Sequence, residues 1–408
     1  MKILILCRDL PLPMDSGEKI RCHHVIKELA KHHEVTLLTL AAKDSNIRYI
    51  QETQKICQYV YLVDYKFSKN IAAIKTLFSS LPWDVIAYYD KEMKSKLNEL
   101  MDFQKYDLVW VNFLAMANYI DPTIASKSVF IFDQHNVDEL VWKNFVQSSQ
   151  YIPLKLFASI NCKKVIKFQK DIIKYFSAIA CCSKQDVDYM KVHIPGKLNV
   201  WLVPNGVDVD YFKPGNLDAP KSNIIMLCAS MDVWMNIEAA YHFAKEVFPG
   251  IKEKIPDSQF WIVGRNPDPK LRALDKEGYI KVTGSVADVR PYYNKARVVV
   301  APYQHGGGTK LKILEAMSMN LPIVSTSTGI QGIDLPKDAQ VYIRDNMNEF
   351  AEAIVKILQI KATDKNRCAN NAREFVVEKY SWSSIIKELE PKLKDLREQN
   401  TKLQGKII

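Results

Sequence analysis

The sequence is poor in glycine and contains no long apolar run, and each shortage excludes a class of protein. Only 14 of its 408 residues are glycine, while 48% are hydrophobic and 25% are charged. Collagen-like and disordered chains have very different compositions. No stretch reaches the roughly 18 apolar residues of a membrane-spanning helix, and the apolar run at the start is too short for a signal peptide. We therefore expect a globular cytoplasmic protein with at most a peripheral contact on the inner face of the membrane.

The eight cysteines show no CxxC spacing and no cluster with histidine of the zinc-binding kind. Most lie inside apolar runs such as MKILILC and IIMLCAS, where cysteine behaves as a small buried hydrophobic residue. The pattern predicts free thiols in a reducing compartment, with no disulfide framework.

Two phosphate-binding motifs are also missing. GxGxxG does not follow the first strand of either half, and GxxxxGK[ST] does not occur, so a dehydrogenase or a P-loop NTPase is disfavoured. The net charge of +10 still favours acidic partners, which leaves phosphates, an anionic membrane surface and nucleic acid. Nucleic acid is not expected, because the lysines are scattered and no recognised nucleic-acid motif is present.

The chain alternates apolar, strand-like runs with helical segments, and the alternation starts afresh in its second half. A chain of this length normally forms two domains. The pattern predicts an α/β protein with two doubly wound, Rossmann-like domains facing across a cleft. Residues 199–216, with an Asn-Gly turn and a Pro/Gly exit, are the linker candidate. We place the domains at 1–212 and 213–382, with a C-terminal helix, 383–408, that is able to return to the first domain.

The stretch HGGGTKLKILEAMSMN, residues 305–320, joins a glycine turn to the start of a helix. It follows a strand-like run, Thr309 is suited to the N-cap, and Asn320 is suited to the left-handed C-terminal position. The free N–H groups and the dipole at a helix start bind anions, and glycines let a phosphate approach the backbone. The stretch therefore indicates a phosphate site.

Lys310 and Lys312 lie at this helix start, where a cation opposes the helix dipole by about 0.3 to 1 kcal/mol unless an anion is near. They are therefore candidate phosphate ligands. The alternative is an ordinary capped helix in which Lys312 pairs with Glu315 at i,i+3 spacing, for about 0.2 to 0.5 kcal/mol.

Three other places have both a functional and a structural interpretation. Gly17 lies at the turn after the first strand, where α/β sheets bind ligands, although turn geometry alone can require glycine. His135 follows the strand SVFIFD in a loop expected to face the cleft, and a lone loop histidine is more often structural than catalytic. Asp208 and Asp210 match the DxD metal pattern of some sugar transferases, but aspartate suits a turn and we expect no metal.

Residues 152–176 form a basic segment in which six lysines alternate with Leu, Phe and Ile. Such a segment is able to lie on anionic lipid. Most segments of this kind are ordinary surface helices with their lysines in water.

Three longer motifs resemble the family 4 glycosyltransferases of GT-B fold, closest to the branch found in bacterial polysaccharide and exopolysaccharide loci. They are VPNGVDVDYFKP at 203–214, VTGSVADVRPYYNKA at 282–296 and APYQHGGGTKLKILEAMSMNLPIVST at 301–326. The resemblance implies retaining transfer of a sugar from a UDP- or GDP-linked nucleotide diphosphate donor, without metal or other cofactor. The acceptor would be a glycan or a lipid-linked molecule, entering from the N-terminal domain near residues 65–100.

The resemblance also implies roles for single residues. Glu315 matches the second glutamate of the family's E-x7-E motif and would accept hydrogen bonds from the ribose, while Gly307 stands where the first glutamate is usual. Gly17 would face the donor phosphate or sugar, the main chain at Val286 the base, and His135 the transferred sugar. The donor sugar would meet the N–H groups of Gly306, Gly307, Gly308 and Thr309.

The sequence departs from the family after the first strand of the second domain. The family usually has an Arg and a Lys there, but residues 229–240 read ASMDVWMNIEAA. Lys312, together with Lys310, is the candidate for the displaced positive charge. His135, Lys312 and Glu315 are then the expected catalytic residues.

Two other functions remain open on this evidence. A nucleotide-sugar epimerase or hydrolase would use the same fold with water or the nucleotide in place of the acceptor. A non-catalytic GT-B protein that only binds partners would explain why two of the family's usual positions are missing.

Overall fold

The protein is described here by a computed structural model. It describes residues 1–42, 45–66, 68–149, 151–194, 196, 198–215, 222–305, 310–335, 341–360 and 366–404. The chain divides into two compact units. The first comprises Met1–Pro204 and the chain from Ile385 onward, and the second is Asn205–Ser384.

The first unit is a parallel sheet covered by helices. Its strands are continuous apolar runs, as expected for strands that are buried on both faces. Those that the structure describes lie in the order β3-β2-β1-β4-β5-β6-β7. The elements are β1 (Lys2–Cys7), α1 (Gly17–Leu29), β2 (Glu34–Ala41), α2 (Ile47–Gln54), β3 (Tyr59–Asp64), α3 (Lys69–Leu77), α4 (Trp83–Ala87), α5 (Lys91–Phe103), β4 (Leu108–Asn112), α6 (Phe113–Ala117), α7 (Pro122–Ala125), β5 (Val129–Gln134), α8 (Asp138–Ser148), α9 (Ile152–Ile172), a 3₁₀ turn (Ile173–Tyr175), β6 (Ala178–Cys181), α10 (Lys184–His193) and β7 (Asn199–Leu202).

The second unit repeats the architecture with its own parallel sheet, in the order β10-β9-β8-β11-β12-β13 among the described strands. Both sheets reverse their direction of growth next to the first strand, which makes each unit doubly wound and Rossmann-like, as predicted. The elements are β8 (Ile224–Cys228), α11 (Trp234–His242), a π-helical turn (Phe243–Val247), α12 (Phe248–Lys254), β9 (Gln259–Val263), α13 (Pro269–Arg272), a 3₁₀ turn (Ala273–Glu277), β10 (Ile280–Val282), α14 (Arg290–Lys295), β11 (Val298–Ala301), α15 (Leu311–Ser318), β12 (Ile323–Ser325), β13 (Val341–Ile343), α16 (Met347–Gln359), α17 (Asn366–Tyr380) and α18 (Trp382–Gln404).

The units divide eight residues before the boundary placed from the sequence, between Pro204 and Asn205. The segment after Asn205 belongs to the second unit because its backbone is bonded there. Val207 N–H donates to the carbonyl of Tyr380 at 2.8 Å, and the carbonyl of Phe212 accepts from Ser318 Oγ at 2.5 Å. The sequence placed the boundary at the Pro/Gly-rich exit, whereas the hydrogen bonds place it at the Asn-Gly turn.

Helix α18 starts in the second unit and then packs on the first. Glu390 Oε1 lies 2.6 Å from His33 Nε2, and Arg397 Nε donates to Asp107 Oδ1 at 2.8 Å. These contacts connect α18 to the turn between α1 and β2 and to the turn before β4. In the part of the chain that the structure describes, no helix is both long and apolar enough to cross a membrane.

The start of α15 differs by one residue from the expectation. Lys310 occupies the N-cap position, without a side-chain capping hydrogen bond, whereas Thr309 was expected there and lies outside the described residues. The predicted end is confirmed, because Asn320 has a φ of 59°. An asparagine tolerates this left-handed conformation better than most residues.

Gly264, directly after β9, is required by a close approach of two backbones. A Cβ at this position would lie 1.7 Å from the carbonyl oxygen of Ala229, and Ala229 N–H is itself bonded to Val263 O at 3.1 Å. We predict that Gly264→Ala lowers the free energy of unfolding by at least about 3 kcal/mol, since the backbone must move. Chemical denaturation of both forms measures the loss.

Gly250→Ala is the matched control for this prediction. Gly250 lies inside α12, and a Cβ there would meet nothing within 4 Å. Alanine should therefore be neutral or stabilise by about 0.5 to 1 kcal/mol. Equal effects of the two substitutions would contradict the close-approach argument.

Candidate functional site

The carboxyl edge of the second sheet carries a compact group of polar side chains at the start of α15. Glu315 is only 4% exposed. Its Oε1 and Oε2 lie 2.7 and 3.0 Å from Lys312 Nζ, and Oε2 also accepts from the hydroxyl of the fully buried Tyr293 at 3.1 Å. The predicted i,i+3 pair of Lys312 and Glu315 is therefore present.

The charges of this group are strongly coupled. Burial would lower the pKa of Lys312, but the Glu315 carboxylate outweighs it and the pKa is raised. Lys312 is thus held as a cation. Burial, followed by Cys228 and Glu315, raises the pKa of Tyr293, so this hydroxyl remains a hydrogen-bond donor.

Lys310 stands beside this group with its Nζ 5.4 Å from the centre of the Tyr303 ring. Burial lowers its pKa. The two lysines and one carboxylate leave an excess of positive charge at the N-terminal end of α15, where the helix dipole is also positive. This arrangement favours an anionic ligand.

The glycine turn that precedes α15 lies outside the described residues. Gly306, Gly307, Gly308 and Thr309 therefore remain predictions as donor ligands. Only the end of the stretch, from Lys310 onward, has a described geometry.

An arginine that sequence reasoning did not single out lies at the same edge of the sheet. Arg265 follows β9, and its Nε donates to Ser230 Oγ at 2.7 Å. Ser230 belongs to the ASMDVWMNIEAA segment, where the resemblance expected basic residues. The fold thus places the Arg265 cation next to the segment in which the family's usual Arg and Lys are missing. The sequence signal for it was a charged residue directly after the strand QFWIVG.

Val286 lies in the turn that follows β10 and borders an open pocket. The cavity has a volume of about 550 Å³, and its walls include Ser285 and the ring of Tyr292. Val286 is thus one of the residues that line this pocket, and its role as a contact for the base stays a prediction. Asp208 stabilises a turn, because its Oδ1 accepts from the N–H of Tyr211 at 2.9 Å, as expected for an aspartate there.

The first unit brings His135 to the carboxyl edge of its own sheet. His135 is buried, with its ring 4.1 Å from the ring of Phe113. Its Nε2 lies 3.2 Å from Asn112 Oδ1, and the amide of Asn112 donates to Leu6 O at 3.1 Å. Since Asn112 Oδ1 must accept, Nε2 carries the proton. The Nδ1 atom is then the basic nitrogen of the neutral ring.

A fully buried ion pair lies next to His135. Arg21 Nη2 donates to Asp133 Oδ1 at 2.7 Å, and the two side chains are 1% and 0% exposed. Arg21 Nη1 also donates to Val203 O at 2.9 Å, and Asp133 Oδ2 accepts from Trp110 Nε1 at 3.1 Å. Burial would lower the pKa of Arg21, but Asp133 raises it. The pair and its hydrogen bonds connect α1, β4, β5 and the residue directly after β7.

Gly17 is the first residue of α1, and Ser16 is its N-cap. Arg21 lies one turn further along the same helix. The turn after β1 therefore leads directly into the buried ion pair, and Gly17 remains a prediction as a donor contact.

A second group of charged residues lies between β1, α4 and α8. The guanidinium of Arg8 stands 4.7 Å from the ring centre of Tyr88 and 4.5 Å from that of Phe113. Asp84 Oδ2 accepts from Trp142 Nε1 at 3.4 Å. Burial, and then the charge of Asp84, raise the pKa of Asp138 to about 8. Aromatic rings, a cation and carboxyl groups are the usual parts of a carbohydrate-binding surface.

Comparison with known proteins places these groups in context. Residues 222–360, all in the second unit, match the family model described as Glycosyl transferases group 1. An uncharacterized 44.6 kDa protein in the cps region of Klebsiella pneumoniae is 23% identical over 95% of this chain and 99% of its own.

Two solved structures share the fold over nearly the whole chain. Sucrose-phosphate synthase from Thermosynechococcus elongatus has a TM-score of 0.67 at 16% identity, covering 97% of this chain and 99% of that one. HepE from Anabaena, in complex with UDP and glucose, has a TM-score of 0.64 at 13% identity, covering 97% and 100%. The chain therefore has the GT-B fold, and the match of its second unit to the group 1 model supports a glycosyltransferase.

The buried ion pair generates the first prediction for this site. Asp133→Asn leaves Arg21 buried without its counter-charge, so the free energy of unfolding should fall by about 3 to 5 kcal/mol. Denaturant unfolding measures this loss. Glu52→Gln, which removes the exposed i,i+4 partner of Arg48, is the control and should change little. An equally small effect of both variants would show that the buried pair does not hold the sheet edge.

The raised pKa of Asp138 generates the second prediction. The pKa of the carboxyl is near its ordinary value of 3.8 when the chain is unfolded and about 8 when it is folded, so folding favours its neutral form and stability is lost as the pH rises through this window. Asp138→Asn should therefore be increasingly more stable than the native chain from about pH 4 to about pH 8.

Thermal unfolding across this pH range checks the sign. Asp121, whose pKa is lowered by its hydrogen bond to Lys94, is the matched control. Asp121→Asn should be less stable than the native chain at neutral pH, and this difference should vanish in acid. A constant gain for Asp138→Asn at every pH would contradict the assignment.

Proposed function

We propose that the protein is a retaining, metal-independent glycosyltransferase of family 4 type. It would move a sugar from a nucleotide diphosphate donor, UDP- or GDP-linked, to a glycan or lipid-linked acceptor. The observation that carries the proposal is the Lys312–Glu315 pair in α15, within the residues that match the group 1 model. The alternatives of an epimerase, a hydrolase or a non-catalytic protein are tested below.

The diphosphate would bind at the positive end of α15. Lys310 and Lys312 supply two cations against the single carboxylate of Glu315. As the sugar leaves, negative charge grows on the diphosphate, and fixed cations and N–H groups stabilise it without reorganising; losing one such donor typically costs about 3 to 4 kcal/mol. Positive charge held by protein side chains would take the part that a metal ion has in other transferases. Arg265, which follows β9 and is bonded to Ser230 after β8, would be a further cation at the same edge of the sheet.

The ribose would bind against Glu315. An ionised carboxylate has about four acceptor positions, and Lys312 and Tyr293 occupy three in this structure. One position of Oε1 therefore remains for a ribose hydroxyl. Tyr293 and Lys312 also fix the orientation of the carboxylate, which lowers the entropy lost when the ribose binds. The base would lie against the main chain of Val286.

The transferred sugar would contact His135. Its Nε2–H donates to Asn112 Oδ1, and the Phe113 ring packs against the imidazole. Nδ1 would therefore be the nitrogen that contacts the sugar. Gly17 would let the sugar or phosphate approach the backbone at the start of α1. Asp133 and Arg21 position this group without touching the substrate.

The acceptor would bind in the first unit near Arg8, Tyr88 and Phe113. The rings of Tyr88 and Phe113 both lie against the Arg8 guanidinium, and aromatic rings suit the apolar faces of sugars. Arg8 is itself paired with Asp9 and Glu18. The resemblance to a protein of the Klebsiella cps region and the UDP in the HepE structure support a role in surface polysaccharide synthesis.

A donor panel tests the proposal. The full chain is mixed with UDP- and GDP-sugars, its thermal stability is measured, and labelled sugar is followed into glycan and polyprenyl-linked glycan acceptors. A true donor raises the melting temperature, because it binds only the folded state, and labels an acceptor with retained anomeric configuration. Epimerised or free sugar without labelled acceptor would favour an epimerase or a hydrolase. No stabilisation by any donor would favour a non-catalytic protein.

Glu315→Gln sharpens the test. The glutamine amide has one acceptor oxygen where the carboxylate has two. It cannot accept the bonds from Lys312 and Tyr293 and also one from a ribose hydroxyl, so donor affinity should fall by about tenfold or more, equivalent to about 1.4 kcal/mol. Calorimetry with the stabilising nucleotide measures it. Glu378→Gln, on the exposed side of α17, is the matched control. Unchanged affinity in Glu315→Gln would remove the ribose role.

A further inference from the structure

Two helices of the first unit expose large apolar side chains to water. Helix α3 and the residue after it present Ile71, Ile74, Leu77 and Phe78, spaced three or four residues apart on one face, and Phe78 is 89% exposed. Monomeric proteins rarely leave a contiguous group of this size uncovered unless it binds something.

Helix α9 presents a second apolar group in its first half. Ile152, Leu156 and Ile160 recur every four residues, so they lie on one face, and Ile152 is 78% exposed. The opposite face of α9 packs into the unit with buried residues such as Ala158 and Val165. The exposed face is therefore separate from the core.

The same face of α9 continues as a row of lysines. Lys163, Lys167 and Lys170 follow Ile160 in steps of three or four residues, Lys174 continues the row in the 3₁₀ turn after α9, and all four are exposed. Asp171 is the only acidic residue between Glu139 and Asp186. One helix face thus carries apolar groups at one end and unbalanced positive charge at the other.

The exposed faces of α3 and α9 are neighbours. Lys164, four residues from Ile160, donates its Nζ to the carbonyls of Thr76 and, at 2.7 Å, of Ser79. These bonds hold the end of α3 beside the apolar part of α9. The sequence between Asp64 and Asp84 contains lysines but no acidic residue, so α3 adds no negative charge.

We propose that the exposed faces of α3 and α9 form a docking surface for an anionic lipid bilayer. Apolar side chains enter the boundary between headgroups and acyl chains, while the lysines of α9 contact the anionic headgroups. The sequence allowed two interpretations of residues 152–176, a lipid-binding segment or an ordinary surface helix. The exposed apolar residues of α3 favour lipid binding, because an ordinary surface helix would have lysines in water without a second exposed apolar face beside it.

The surface connects to the proposed acceptor region through α4. Trp83 N–H donates to Asn161 Oδ1 of α9 at 2.7 Å, and the next residue, Asp84, accepts from Trp142 near Arg8. A lipid-linked acceptor would thus be met by a protein already held at the bilayer. The binding claim does not depend on the proposed function, and its test uses no donor.

Vesicle flotation of the full chain tests the surface. Vesicles of phosphatidylcholine with about 30% phosphatidylglycerol should bind the protein, and pure phosphatidylcholine should bind it far more weakly; high salt should release it. A chain that binds both kinds of vesicle equally, or neither, would overturn the proposal.

Two variants locate the binding face. Changing Lys163, Lys167, Lys170 and Lys174 to Gln should weaken binding by about a hundredfold or more, since each lysine near an anionic surface contributes about fivefold. Changing Ile152, Leu156 and Ile160 to Ser should weaken it by about tenfold or more. These side chains are exposed, so the thermal stability of both variants should stay close to that of the native chain.

The matched control removes the same charge from α18. Changing Lys387, Lys392, Lys394 and Lys402 to Gln should alter vesicle binding by less than about threefold. Salt screens the attraction between the vesicle surface and charges that do not lie close to it. Equal losses in the α9 and α18 variants would overturn the assignment to this face. Size-exclusion chromatography tests whether the face instead binds a second copy of the chain. A native dimer that becomes a monomer in the Ile152, Leu156 and Ile160 variant would overturn the proposal.

Discussion

The buried pair of Arg21 and Asp133 is the constraint on which the first unit depends. A charge removed from water is tolerated only when its hydrogen-bonding capacity is used, and here the guanidinium and the carboxylate reach α1, β4, β5 and the segment after β7. The pair therefore fixes the carboxyl edge of the sheet, and it does so directly beside His135. The imidazole approaches the pair directly, since its Nε2 lies 3.6 Å from Asp133 Oδ2.

The second unit also contains a buried charged group, the carboxylate of Glu315, but its partner Lys312 is a candidate ligand as well. Glu315 is buried in the second turn of α15, and Lys312 and Tyr293 satisfy its carboxylate. Its counter-ion, Lys312, is also one of the two lysines near the N-terminal end of α15. The same lysine is thus a structural partner and a candidate phosphate ligand, and the two interpretations of the sequence are compatible rather than exclusive.

Most of the fold could be predicted because buried parallel strands are continuous apolar runs, and MKILILC, SVFIFD and IIMLCAS are of this kind. The Lys312–Glu315 pair could be predicted because i,i+3 contacts are local. The pairing of Arg21 could not be predicted, since its partner lies 112 residues away in the sequence. Arg265 and the exposed face of α3 were missed for the same reason: only the folded chain shows which charged or apolar residues become neighbours.

The central claim is that the start of α15 binds a nucleotide diphosphate. A crystal structure of the full chain with UDP or GDP tests it most directly. The account predicts the diphosphate within hydrogen-bonding distance of Lys310 or Lys312 and a ribose hydroxyl bonded to Glu315. A nucleotide bound elsewhere, with these three side chains untouched, would contradict it.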